Sequence, residues 1–410
     1  MIGWIEILVG AAIVAGTLAS VVSTIVLPRS SPRSAAEQEY LAQQRDPEES
    51  QGAGRRPPIA SSRIASAVWH FSRFVFARAD SAACGMLRVS GRLRGVPVRP
   101  EDINARRHRV LGTLGPASLL LLFLFWLGAI WIGYGLILTP IRGQFGAALR
   151  LSASSLTTLG FAAPRGAASS AVVSLEGFTG IVAVALEISF LFFLNGYYNA
   201  REQLMRVLAG RAGHPALGYV LLWRETDIRA LDTLGPFFSD WEVWAAEVTE
   251  AHLAYPWLLL FRSSDAMQSW VVSLLAMLDS AALYHSLLPE GKFRPEAGHL
   301  LRMGFTAFRE TGLVLGIDVK LDPHPEDPIQ LPKYEFTRAV NELVAKGFPA
   351  SRTAEEAWPH FKGWRVTYEA VAYALVAELA AVPAEWTGTV PIRTRLVPHR
   401  KPASAPSHRP

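Results

Sequence analysis

Ser155-Leu156-Thr157-Thr158-Leu159-Gly160-Phe161-Ala162 lies between two long apolar segments, Ala117 to Leu138 and Ala171 to Leu194. The first carries no charge and the second only Glu176 and Glu187; at roughly 20 residues per crossing, each is long enough to span a bilayer. A short polar stretch containing glycine between two spans is where a membrane protein can hold non-helical backbone, provided that backbone is buried in protein or lines water. Gln144 to Leu156, immediately upstream, has helical character but is too short to cross. Thr139-Pro140 is expected to end the preceding span, and Ala163-Pro164-Arg165-Gly166 returns the chain toward the next. Span, half-helix, extended residues, span: this order predicts a re-entrant loop over 144–163.

Working outward, a third charge-free run, Ile7 to Leu27, reads as a retained N-terminal anchor over 1–28. Its leader Met1 to Glu6 has no basic residue, and it ends in Val26-Leu27-Pro28-Arg29 rather than at a small-residue cleavage site. The connector 29–113 is basic, with 15 arginines against eight acidic residues between Arg29 and Arg109. Positive residues stay on the cytoplasmic side. The expected orientation in the cell inner (plasma) membrane therefore has the N-terminus outside, the 139–170 loop outside, and the C-terminus cytoplasmic. Arg201, Arg206 and Arg211 agree, while Arg142, Arg150 and Arg165 in the outer loop run against the rule. Within the connector, Ser30 to Ile59 reads as mobile linker. Ile64, Val68, Phe71, Val75 and Phe76 recur at helical spacing over 61–86, either as an interfacial helix or as one packed on the inner domain. The single cysteine, Cys84, excludes an intrachain disulfide and a multi-cysteine metal site.

Beyond the pore-like segment 114–200, residues 206–385 read as a mostly helical cytoplasmic domain. Trp270 to Leu287 is apolar, but Asp279 and His285 interrupt it, which favours a buried helix over a fourth span. Leu300 to Leu315, Tyr334 to Val344 and Trp364 to Val382 read as further helices, and 386–410 as a basic disordered tail. Glu242, Glu247, Glu250 and His252 match no strong metal-ligand spacing and read as a solvated helix face. There is no glycine-rich phosphate loop, nucleophile elbow or nucleotide fingerprint. The fold class is thus all-α membrane protein: three transmembrane helices, a re-entrant helix and loop, then a helical domain. No enzyme activity, cofactor, bound metal or nucleic-acid partner is expected.

Backbone carbonyls can replace an ion's hydration shell when several successive ones point inward, and glycine permits the backbone angles this needs. One chain supplies one loop, so a ring requires symmetric copies, most simply four. Thr157-Thr158-Leu159-Gly160-Phe161-Ala162 resembles the Thr-Thr-Val-Gly-Tyr-Gly filter of the prokaryotic two-span potassium channel pore domain, and Glu176-Gly177-Phe178-Thr179-Gly180 resembles the start of its inner helix. The resemblance covers about residues 115–200; the flanking regions look like an uncharacterised bacterial group commonly labelled channel-like. It implies a homotetrameric pore passing a monovalent cation, first of all K+, with oxygen donors at Thr158, Leu159, Gly160 and Phe161. Leu159, Phe161 and above all Ala162 depart from the pattern, and a left-handed backbone at Ala162 would cost roughly 1 kcal/mol or more. Phe161 is expected to wedge against the short helix.

Glu176 and Glu187 are 11 residues apart and fall near one helix face. Glu176 either bonds the back of the loop or lies at headgroup level; Glu187, deeper, is a candidate for the ion path with Ser189 and Asn195 farther along. Gly180 permits a bend or a close helix contact. Two functional readings stand: a cation-conducting subunit, and a non-conducting scaffold or sensor whose inner domain binds an unidentified cytoplasmic protein or ligand.

Overall fold

The computed structural model describes residues 2–25, 71, 74, 78, 100–288, 294–320 and 322–387, and every regular element among them is helical. The segment 30–59 read as a linker, Cys84, most of the 61–86 segment and the basic tail beyond Thr387 lie outside the described residues; Phe71, Phe74 and Arg78 are helical and exposed. Two compact units are distinguished: Met1–Ala200 with Glu247–Arg262 and Glu310–Val319, and Arg201–Ala246 with Ser263–Arg309 and Lys320–Pro410.

The first unit is built from α1 (Ile2–Ile25), α2 (Pro100–Gly112), α3 (Leu114–Arg142), α4 (Phe145–Leu156) and the greater part of α5 (Ala167–Ala212). Lipid chains are as apolar as leucine, so close backbone approach and buried polar bonds must hold such helices together. Both are present. A Cβ on Gly10 of α1 would lie 2.4 Å from the Gly133 carbonyl of α3, so glycine sets this contact distance. Trp126 Nε1 donates to Ser20 Oγ at 3.1 Å, and the Tyr134 and Thr179 hydroxyls pair at 3.0 Å, tying α3 to α1 and α5. Val14, Ile130, Tyr134 and Ala183 form the core where the three helices meet.

In the second unit, α6 (Gly218–Asp227), α8 (Trp270–Leu287), α10 (Lys333–Ala345) and α11 (Ala354–Glu378) pack with parts of α7 (Leu234–Ala254) and α9 (Pro295–Val314). Every residue of α8 except His285 is buried. At its middle, Asp279 meets Arg365 Nη1 at 2.5 Å and the Tyr368 hydroxyl at 2.9 Å. Arg365 also bonds Glu369, Tyr373 and the Trp386 carbonyl, and Glu369 accepts the Gln330 and Leu331 amides. Burial opposes the guanidinium's charge, but Asp279, Tyr373 and Glu369 more than offset it and raise its pKa above the ordinary arginine value. A network this fully bonded locks the 330–331 segment and the chain near Trp386 to α8 and α11.

Helix lengths correct the sequence reading in three places. The second span does not end at Thr139-Pro140: α3 continues to Arg142, and Gly143, at φ +75°, closes it by an N–H bond to the Thr139 carbonyl. The third does not stop at Leu194, because nothing before Gly213 and the following proline breaks the helix; α5 is 46 residues, about 69 Å at ~1.5 Å per residue. The last helix begins ten residues before Trp364, where Thr353 and Glu356 form a capping box.

Among the described residues, four helices are long and apolar enough to cross a membrane: Gly3–Ile25, Arg106–Arg142, Ala167–Ala212 and Trp270–Leu287. The first three leave broad apolar faces open, including Leu120, Leu124, Phe178, Ile181, Ile188 and Phe192, whereas Trp270–Leu287 is enclosed by its own unit. The protein is an all-α, multi-span membrane protein followed by a mostly helical region.

Candidate functional site

The short helix α4 is twelve residues, about 18 Å at ~1.5 Å each, well under the ~30 Å hydrocarbon core. It packs on α3 through Ala148 and Leu151, and Trp131 Nε1 donates to the Leu149 carbonyl at 2.9 Å. Three serines fasten its other sides. Ser152 bonds the Glu176 carboxyl of α5, Ser155 donates to the Val173 carbonyl at 2.5 Å, and Ser154 reaches forward into the loop.

The backbone beyond Leu156 leaves the helix in a defined manner. Thr158 N–H donates to the Ser155 carbonyl (2.9 Å), Gly160 N–H to the Ser154 carbonyl (3.2 Å) and Ala162 N–H to Ser154 Oγ (2.8 Å). All three amides therefore point back at α4. In a trans peptide the carbonyl of the preceding residue points the opposite way. The Thr157, Leu159 and Phe161 carbonyls are thus directed away from α4, on the side where residues 157–161 are exposed. The C-terminus of α4, with its partial negative charge, abuts this row.

Left-handed backbone makes the pattern. Thr158 has φ 58° and Gly160 φ 69°, while Leu159, Phe161 and Ala162 are not among the positive-φ residues. Space does not require glycine at 160, since a Cβ there would meet nothing within 4 Å; the backbone angle does. The strain anticipated at Ala162 is absent and falls instead on Thr158, a β-branched residue for which such an angle is a true outlier. Its hydroxyl donates to the Thr157 carbonyl at 2.7 Å.

The sequence-predicted residues come together unevenly. Thr157 to Ala162 form one continuous loop. Phe161 is not wedged against the short helix: it is half exposed, and Ala162 packs beside Leu138, Ala148 and Leu151 in its place. Glu176 is fully buried and bonded to α4 through Ser152, so it is no surface acid. Gly180 serves close contact, because a Cβ there would lie 2.7 Å from the Leu156 carbonyl. Glu187 is buried, and along α5 it continues the stripe of Ala183, Phe190 and Leu194; Ser189 and Asn195 lie on the open side. One Glu187 carboxyl oxygen has no hydrogen-bond partner. Glu247 and Glu250 are exposed while His252 is buried, and among the described residues no group of three or more such side chains is placed to hold a metal.

Sequence reasoning missed Ser152, Ser154, Ser155 and Arg142. Three hydroxyls within four residues of a membrane-embedded helix were the available signal, since each needs a partner there. No family model, curated protein or solved structure matches the chain.

Proposed function

We propose that the chain is one subunit of a passive cation channel, with residues 157–162 as its ion-contacting loop. The observation that carries this is the pairing of the 158, 160 and 162 amides with α4, which turns the Thr157, Leu159 and Phe161 carbonyls away from that helix, the first of them accepting the Thr158 hydroxyl. A dehydrated cation is a natural occupant for such a row, and the C-terminal end of α4 adds favourable potential. A single chain cannot enclose an ion. Leu159 and Phe161 are 72% and 50% exposed in one chain, and a homotetramer would cover them while closing the carbonyls into rings. For a chain of three spans, the arginine-rich connector supports a cytoplasmic connector and a cytoplasmic helical region. K+ is the first ion to test, with other monovalent cations as competitors.

Purified full-length protein in liposomes should pass K+ down its gradient. A folded, tetrameric protein that passes no ions under varied potential, pH and cation would refute conduction. A second reading is favoured by one contact: the Ala162 carbonyl lies 3.3 Å from Ser154 Oγ, turned toward α4 rather than along the row. A loop short of its outermost donor suits a non-conducting scaffold acting through the helical region, and a dry, collapsed axis in an assembled oligomer would support it.

A further inference from the structure

Two contacts fasten the outer end of the loop beyond the carbonyl row. Ser154 holds Ala162, and Arg142 donates from Nη2 to the Ala163 carbonyl at 2.6 Å. Arg142 is placed there by the end of its own helix. Gly143 takes the left-handed turn directly after it, and the free carbonyls of a helix C-terminus favour a cation in the last turn. Its Nε is buried without a hydrogen-bond partner, so the guanidinium is aimed through the Ala163 bond alone.

One acid stands on the neighbouring helix, Glu6 of α1, whose Gly3 packs against Pro140. From Val110 to Leu175 the charged residues are Arg142, Arg150 and Arg165, with no acid among them. Among the described residues no carboxylate pairs with Arg142. A positive group is therefore fixed to the residue that follows Ala162, at the outer end of the proposed path. In the tetramer four copies would share that level.

We infer that Arg142 is a positioning residue of the loop that also sets the charge at its mouth: its guanidinium holds the outer end through Ala163 and lowers the cation concentration there. The inference rests on the conduction reading above, but its structural half is measurable without it. Fixed charge at a pore mouth acts through the local counter-ion concentration, which salt restores.

The test uses full-length protein in neutral-lipid liposomes, comparing wild type, Arg142→Gln and Arg142→Lys. At about 10 mM K+, where the Debye length is ~30 Å, Arg142→Gln should pass K+ about fivefold faster than wild type. At about 1 M K+, where that length is ~3 Å, the difference should vanish. Arg142→Lys should keep the wild-type flux profile, having kept the charge. Amide exchange over 158–163 should quicken about tenfold in both variants, because lysine ends one bond, and glutamine two bonds, short of the reach that brings Nη2 to the Ala163 carbonyl. Equal flux of wild type and Arg142→Gln at low salt overturns the charge effect, and unchanged exchange overturns the clamp. If wild type passes no ions at either salt, conduction fails, whereas faster exchange in the variants would still uphold the clamp. Should Arg142→Gln fail to assemble, Arg142→Lys decides: faster exchange supports the clamp and unchanged exchange overturns it.

Discussion

Three glycines of α5 provide a graded perturbation of the joint between α4 and the long helix. A Cβ on Gly180 would meet the Leu156 carbonyl at 2.7 Å and Leu156 Cδ1 at 2.9 Å; on Gly177 it would meet Ser155 Oγ at 3.5 Å; on Gly196 it would meet nothing within 4 Å. Ordinary carbon–oxygen contact needs about 3.4 Å, so Gly180→Ala must displace α5 from the end of α4 by several tenths of an ångström. The Leu156 carbonyl cannot swing aside as a flexible side chain would. Overpacking of this kind costs about 1–3 kcal/mol. Gly196→Ala, by contrast, gains helix propensity without a clash and should be neutral or stabilising by up to about 1 kcal/mol. Gly177→Ala should lie between them. Thermal denaturation of the detergent-solubilised protein ranks the three, and K+ flux from liposomes reads the effect on the loop. The displacement also strains the Ser155 to Val173 bond, 2.5 Å long, so Gly180→Ala should lose flux as well as stability. Gly180→Ala with wild-type stability and altered flux would refute the contact argument and point to a hinge at this position.

Two further substitutions test features outside that joint. Thr158→Gly should stabilise the loop by about 1 kcal/mol, because a β-branched residue at φ 58° is replaced by one that adopts the angle freely, and denaturation midpoints compared with wild type check it. No gain would show that the surrounding bonds, rather than strain at Thr158, set the loop's stability. In the helical region, Asp279→Leu leaves the buried Arg365 guanidinium without its closest carboxylate and should cost about 3–5 kcal/mol, read by urea unfolding followed through tryptophan fluorescence. Replacing Asp279 and Arg365 with apolar residues of similar volume and Glu369 with glutamine, so that no buried charge is left alone, should recover much of that loss, and a triple variant as unstable as the single one would contradict the desolvation argument.

Much of the membrane part was legible because bilayer physics restricts it severely. Apolar runs of the right length, two of them charge-free and the third carrying only Glu176 and Glu187, identified Gly3–Ile25, α3 and α5, and the shortness of 144–156 singled out α4. The ends were less legible. Pro140 looked like a stop, but a proline so near a helix terminus removes a bond that the last turn can lose, and Gly143 is the residue that turns the chain. The enclosure of α8 was readable from Asp279, although its partner Arg365 lies 86 positions away and no local pattern announces it. Glu187 shows the same limit. Its spacing from Glu176 correctly places both on one face, but periodicity alone does not say whether that face looks into the protein or out of it.

The loop shows most clearly what residue identity leaves out. Judged by the filter pattern it resembles, Ala162 is the weak point, because a side chain there should resist a left-handed backbone. Such resistance matters only where the alternation of backbone handedness continues to the last position. It stops at Gly160, and the second left-handed residue is Thr158, where a side chain is equally disfavoured. What fixes the alternation is the pairing of three amides with the last turn of α4, two of them at Ser154. Ser154 supplies a carbonyl to Gly160 and a hydroxyl to Ala162, so a single residue on the short helix sets the register of the loop running beside it. Substituting Ala162 with glycine would leave both bonds in place, whereas Ser154→Ala would release Ala162 and with it the orientation of the Phe161 carbonyl. The direction of the row thus depends more on the serine behind it than on the glycine missing from its end.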